Sequence, residues 1–223
     1  MMLLEKYLLG TRLQEIRWSR RRLSDEDLLR HLNESPRTFL TDEFERYYPF
    51  ESILDFGCGS GATLLKLARK HPELTLFGVD VNDSAIKVAR KGLSEQVDGS
   101  HVLLKGSANA LKTFNSKSID ITTENSTLMF IGPDKLTGVI NEMVRITRRR
   151  LVFLDWNYFD SSDLTQHSFL HQAHWVHDYK KHLVGLLGIK EVSVRRLPVK
   201  NWNVLNDHNW ERFGAIITCT LET

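Results

Sequence analysis

The chain has 223 residues, 41% hydrophobic and 26% charged, with a formal net charge of +2 and a pI near 8.5. That is ordinary for a soluble globular protein of one domain plus an appendage, and too balanced to argue for a nucleic-acid partner. Cys58 and Cys219 do not read as a disulfide framework, so a reducing cytoplasm is the expected location, and the apolar run Met1–Leu4 is too short for a signal or membrane span.

Residues 1–50 carry no strand signal. Leu3, Leu4, Tyr7 and Leu8, then Leu13 and Ile16, suit one or two short helices with an apolar stripe. Arg17, Arg20, Arg21 and Arg22 form a basic cluster around Trp18, which could dock bases or phosphates or be a solvated face. Ser24 can cap a helix whose first turn holds Asp25, Glu26 and Asp27, and Ser35-Pro36 starts another that ends before Pro49.

From residue 51 strands and helices alternate, the pattern of an α/β fold with a parallel sheet. Ile53-Leu54 leads into Asp55 and then Gly57, Gly59 and Gly61, after which Leu64, Leu65, Leu67 and Ala68 recur as a helix stripe. A strand, a tight glycine turn and a helix N-terminus bring backbone N–H groups close to a ligand. The spacing is G-x-G-x-G, not the G-x-G-x-x-G of a dinucleotide site, and no Lys-Ser or Lys-Thr follows, which excludes a P-loop. Leu74–Asp80 reads as a second buried strand ending in an acid, 19 residues beyond Gly61. That is the spacing of a ribose-binding carboxylate, although an Asp capping the helix near Asn82-Asp83 would look the same. Further strands are His101–Leu104, Ser118–Glu124 and Leu151–Asp155, with helices marked by Ile86, Ala89 and Leu93 and by Leu136, Val139, Ile140 and Met143.

The run Asp55-Phe56-Gly57-Cys58-Gly59-Ser60-Gly61 resembles motif I of class I S-adenosylmethionine-dependent methyltransferases. The resemblance implies that Asp55, Gly57, Cys58, Gly59 and Gly61 wrap the methionine and ribose of S-adenosylmethionine. It gives Asp80 the ribose hydroxyls and Val81 the adenine face. Ser107 and Ala108 stand where Gly-Asp-Ala contacts the adenine amino group, with Ser107 a weaker acceptor than the usual acid. Glu124 and Asn125 match the strand end that borders the methyl group. The Asn-Pro-Pro-aromatic signature is absent, since Ser126-Thr127-Leu128 follows Asn125, which argues against N-methylation of bases or glutamine. The implied fold is a doubly wound, mostly parallel seven-stranded sheet (Rossmann-like), with Glu191–Arg195 as sixth strand and Glu211–Leu221 as an antiparallel seventh. Residues 1–50 become an N-terminal helical cap on a methyltransferase domain at 51–223.

If residues 167–187 form a helix, 100° per residue gathers His167, His171, His174 and Asp178 on one side, opposite Phe169, Ala173, Val176, Leu183 and Leu187. That side is a solvated face, the source of a general base, or a metal site; His174 is the candidate base, and no metal is assigned. Asp155 at the fifth strand's end is the second catalytic candidate, with Trp156, Asn157 and Tyr158 where substrate could reach them. The expected activity is methyl transfer to a small-molecule acceptor, oxygen before nitrogen, releasing S-adenosylhomocysteine. An RNA or protein methyltransferase and a non-catalytic cofactor-binding partner protein are the alternatives.

Overall fold

The structure, a computed structural model, describes residues 12–160, 167–198 and 207–222. Three helices lead: α1 (Arg12–Arg20), α2 (Asp25–Leu32) and α3 (Ser35–Glu45). Asp25, Glu26 and Asp27 occupy the first turn of α2, where the helix dipole favours acids, and the Ser24 N–H donates to Asp27 Oδ2 at 3.0 Å. Pro36 sits in the first turn of α3, where its missing N–H leaves no bond unmade.

Alternation follows: β1 (Ser52–Phe56), α4 (Ala62–Lys70), β2 (Thr75–Asp80), α5 (Asp83–Gln96), β3 (His101–Lys105), β4 (Ile119–Asn125), α6 (Pro133–Ile146) and β5 (Thr147–Trp156). A 3-10 turn at Leu128–Phe130 lies between β4 and α6. Then come β6 (Ser168–His171), β7 (His174–His177), α7 (Tyr179–Leu183), β8 (Ile189–Arg196), α8 (Asp207–Phe213) and β9 (Gly214–Leu221). Seven strands form one sheet in the order β3-β2-β1-β4-β5-β9-β8. β1 to β5 run parallel, and β9 is antiparallel to both β5 and β8. This is the doubly wound, mostly parallel sheet expected.

Central strands are apolar on both faces because helices cover both. Ile53, Ile121, Val152 and Leu154 pack with Leu28, Leu64, Leu65 and Leu93 of α2, α4 and α5. Leu54, Phe56 and Phe153 face the other way, onto Leu136, Ile140 and Met143 of α6 and Tyr179 of α7. Each such buried leucine contributes roughly 1.5–3 kcal/mol. Strand order reverses between β1 and β4, so their connections leave on opposite faces and a crevice opens beyond their C-terminal ends.

Three expectations are corrected. Residues 167–187 are not one helix: β6 and β7 form a hairpin, pairing His171 with His174 and Phe169 with Val176, before the short α7. Gln172 and Ala173 form its two-residue turn with φ of 48° and 64°, so the helical projection of the histidines does not apply. The last strand starts at Gly214, because Glu211–Phe213 complete α8. On α1, Leu13 and Ile16 are exposed while Gln14 is buried, so the apolar stripe is not its inward face; Leu3, Leu4, Tyr7 and Leu8 lie outside the described residues. Cys58 and Cys219 are buried free thiols, and among the described residues no helix is long and apolar enough to cross a membrane.

Candidate functional site

A cleft of about 550 Å³ lies at the C-terminal ends of β1, β2 and β4, within the size range of small-molecule sites. The glycine turn after β1 forms its floor. Gly57, Gly59 and Gly61 have φ of 78°, 52° and 80°, a left-handed backbone that other residues resist. Their tasks differ. A Cβ on Gly57 would lie 2.8 Å from Thr127 Cβ and closer still to its Oγ1 and Cγ2. A Cβ on Gly61 would lie 2.8 Å from Ala89 Cβ, so this glycine allows the close approach of α5. At Gly59, which lines the cleft, a Cβ would meet nothing within 4 Å.

The N–H groups of this turn bond within the protein. Gly57 and Cys58 donate to the Val79 carbonyl at 2.7 and 3.1 Å, Gly61 to the Cys58 carbonyl at 2.9 Å, and Gly59 to Asp80 Oδ2 at 2.8 Å. The turn therefore offers shape and close approach rather than the row of free donors expected for it.

Asp80 ends β2 in the cleft wall, and its Oδ1 accepts from the Asn82 N–H at 2.8 Å. Burial raises its pKa, and the two amide bonds oppose that shift. Each oxygen accepts one backbone bond and keeps capacity for a hydroxyl. Helix capping falls to Asn82, whose Oδ1 accepts from the Ala85 N–H at 3.0 Å. The same side chain donates to the Trp18 and Arg21 carbonyls at 2.8 and 2.6 Å, which fastens the end of α1 beside the cleft.

Of the expected site residues, Gly57, Gly59, Asp80, Val81, Ser107, Ala108, Asn125 and His174 line the cleft. Asp55, Cys58, Gly61, Glu124 and Asp155 do not; all five are buried. Burial pushes Asp55 up to about 7 against the pull of Arg37. Burial likewise raises the Cys58 thiol, far from a reactive thiolate.

Glu124 and Asp155 form a buried acid pair beneath the cleft wall. Glu124 Oε2 accepts from the Thr127 and Leu128 N–H groups at 2.8 and 3.2 Å. Asp155 Oδ2 accepts from the Met129 N–H at 2.9 Å and the Tyr179 hydroxyl at 3.0 Å. Three successive loop amides thus bind carboxylates, which holds the 127–129 loop against the ends of β4 and β5. Burial drives both acids up, Asp155 to about 7 and Glu124 well above its ordinary value with the Asp155 charge adding to the rise. Trp156, Asn157 and Tyr158 also lie off the cleft lining; Trp156 packs on Phe213 and His174 at 5.8 and 5.0 Å.

The histidines divide. His174 is half-buried in the cleft wall, its Nδ1 2.8 Å from the Gln172 carbonyl. That oxygen only accepts, so Nδ1 carries the proton and Nε2 the lone pair. Burial lowers the His174 pKa, helped by the nearby charge of Arg17. His177 is fully buried, its Nε2 3.3 and 3.1 Å from the Leu128 and Ile131 carbonyls and its Nδ1 2.8 Å from Ser168 Oγ. It fastens the hairpin to the loop, and burial pushes it down to about 3. Among the described residues no three His, Cys, Asp or Glu side chains converge as a metal site would need.

Trp18, Arg21, His31, Arg37, Phe130 and Ile131 also line the cleft. Trp18 and Arg21 stood out in the sequence as part of a basic cluster; His31 and Arg37 carried no signal. His31 Nδ1 lies 3.0 Å from Ser60 Oγ, which ties α2 to the glycine turn.

Residues 53–150 match the family described as "Methyltransferase domain". The chain is 28% identical over 111 residues to a carboxy-S-adenosyl-L-methionine synthase of Campylobacter hominis, covering 46% of each. It is 43% identical over 44 residues to the methyltransferase ungE' of Aspergillus campestris, 20% of this chain and 13% of that one. The chain thus spans less than half the length of these curated relatives. Among solved structures, the magnesium protoporphyrin IX methyltransferase of Synechocystis with bound S-adenosylmethionine superposes with a TM-score of 0.59 at 14% identity, over 99% of this chain and 96% of that one. The geranyl diphosphate C-methyltransferase of Streptomyces coelicolor gives 0.61 at 15%, over 83% and 77%.

The cleft fits S-adenosylmethionine: space at Gly59 that a side chain would fill, and Asp80 with spare acceptor capacity at the end of β2. Motif, sheet order and relatives agree on a methyltransferase domain over residues 53–150, in a chain with the fold of solved S-adenosylmethionine-dependent methyltransferases.

Proposed function

We propose that the protein methylates a hydroxyl oxygen of a small molecule, with His174 as general base. When bound, S-adenosylmethionine supplies a methyl group already activated on its sulfonium. The chain has then to align the nucleophile and remove its proton. In this reading Asp80 holds the ribose hydroxyls, Val81 and Ala108 flank the adenine, and Gly59 leaves room for the methionine portion. Residues 1–50 act as the cap on the domain at 51–223, which the cleft-lining Trp18, His31 and Arg37 support.

The observation that carries the base is the His174 tautomer. Its Nδ1 is committed to the Gln172 carbonyl at 2.8 Å, and burial keeps the ring neutral with Nε2 as the acceptor. A neutral imidazole suits a hydroxyl acceptor, which must lose a proton.

The test measures transfer of labelled methyl to a panel of hydroxylated small molecules by wild type and His174→Gln. The variant should lose roughly 10²–10⁴-fold in kcat while binding S-adenosylhomocysteine as wild type does. The acid limb of the wild-type rate should lie below the ordinary histidine value of 6.5, because the pKa is lowered. Unchanged kcat in the variant would refute the base. Turnover only on amines, RNA or protein would refute the acceptor class.

A further inference from the structure

Arg17, Arg20, Arg21 and Arg22 are exposed, and none makes an ion pair or side-chain hydrogen bond among the described residues. Other arginines are engaged: Arg30 with Asp27, Arg37 with Glu34, Arg145 with Glu142, Arg148 with Asp120 and Arg195 with Glu43. Glu15 is the single acid between residues 13 and 22, and it also lines the cleft. This stretch, of which Glu15, Trp18 and Arg21 line the cleft, therefore carries an excess of positive charge beside it. Its placement is not that of a frayed helix end. Asn82 and Ser84 hold the Arg21 carbonyl at 2.6 and 3.0 Å, and Gln14 Nε2 donates to the Ala173 carbonyl at 3.2 Å, beside His174.

A continuous row leads inward from that rim. The Arg21 guanidinium lies 5.1 Å over the Trp18 ring, Trp18 meets Phe130 edge-on at 5.2 Å, and Phe130 meets His174 at 5.0 Å. Arg21, Trp18, Phe130 and His174 all line the cleft. Arg21 directly follows the last residue of α1, and Arg17 on that helix lies close enough to His174 for its charge to act on the imidazole.

We propose that the acceptor is an anion with a flat apolar body, its carboxylate or phosphate held by Arg21 and Arg17, its body along Trp18 and Phe130, and its reacting group at His174. This rests on the methyl-transfer reading above and adds the substrate class. A guanidinium stacked on an aromatic ring keeps its edge N–H groups for a planar anion, which a lysine would bind only as a point charge. Unpaired cations at a cleft mouth also raise the local concentration of anions, a contribution that salt screens.

The test loads wild-type protein with S-adenosylhomocysteine and titrates in matched pairs by calorimetry. Each pair is an aromatic hydroxy acid, such as 4-hydroxybenzoate or 3,4-dihydroxycinnamate, and its neutral methyl ester. At least one acid should bind about tenfold tighter than its ester, and that advantage should shrink between about 50 and 500 mM salt. Arg17→Gln with Arg21→Gln should abolish the advantage without changing S-adenosylhomocysteine affinity, and Arg21→Lys should recover only part of it. A panel in which no acid outbinds its ester overturns the proposal. So does tight, salt-dependent binding of an RNA oligonucleotide that the double variant loses, with no acid preferred. If wild type fails to bind S-adenosylhomocysteine, the underlying methyl-transfer reading fails first.

Discussion

Gly59→Ala separates the fold from the cofactor site. At φ of 52° a residue with a Cβ costs roughly 1–2 kcal/mol, and the stiffer unfolded chain returns about 0.4–1. No clash adds to this, since nothing lies within 4 Å of the new methyl. The net loss should be about 1 kcal/mol, or about 2–4 °C in Tm for a chain of this size. Cofactor binding should suffer more, because the methyl occupies the space through which the backbone approaches the ligand. A loss of about tenfold or more, at least ~1.4 kcal/mol, is expected in calorimetric titration with S-adenosylhomocysteine. Gly57→Ala is the contrast: its methyl would run into Thr127, whose N–H is fixed by Glu124, so stability and binding should fall together. Affinity of Gly59→Ala within twofold of wild type would refute the claim that the cofactor lies against this glycine.

Asp155→Asn tests the buried acid pair through the pH dependence of stability. The folded pKa is raised from 3.8 to about 7, so between those values the native state holds a proton that the unfolded chain has released, and this group's contribution weakens as pH rises. Denaturant unfolding should show a flatter fall of stability from about pH 4 to 7 in the variant than in wild type; equal slopes would refute the assignment. Gln172→Asn with Ala173→Gly should raise stability by about 1 kcal/mol, because φ of 48° and 64° suit Asn-Gly in a two-residue hairpin turn. A lower Tm for that double variant would argue against the hairpin.

The sheet was legible because its signals are local. Apolar runs at Ile53, Leu76, Ile121 and Leu151, separated by helix stripes, leave few ways to bury both faces except a parallel sheet between helices. The hairpin was not legible. Its turn has no glycine or asparagine, so nothing near Gln172-Ala173 announces the left-handed backbone, and short runs of histidine and apolar residues fit a helical projection as well as a strand. That Glu124 and Asp155 lie off the cleft lining was not legible for another reason. Standing at strand ends places them near the crevice, but whether a side chain opens to it depends on what covers it, here the amides of 127–129 and the Tyr179 hydroxyl.

By itself the sequence determined the sheet and the glycine turn, along with Asp80 at the end of β2, because backbone conformation and apolar periodicity act between near neighbours. Only the tertiary structure decided that the turn bonds its own N–H groups, that Gly61 allows close packing of α5 and that Gly59 lines the cleft. It also brought Arg21, Trp18, Phe130 and His174 into one wall. Those four come from three segments far apart in the chain, joined by bonds such as Asn82 to α1 and His177 to the 128–131 loop, and contacts of that range leave no periodic trace in the sequence.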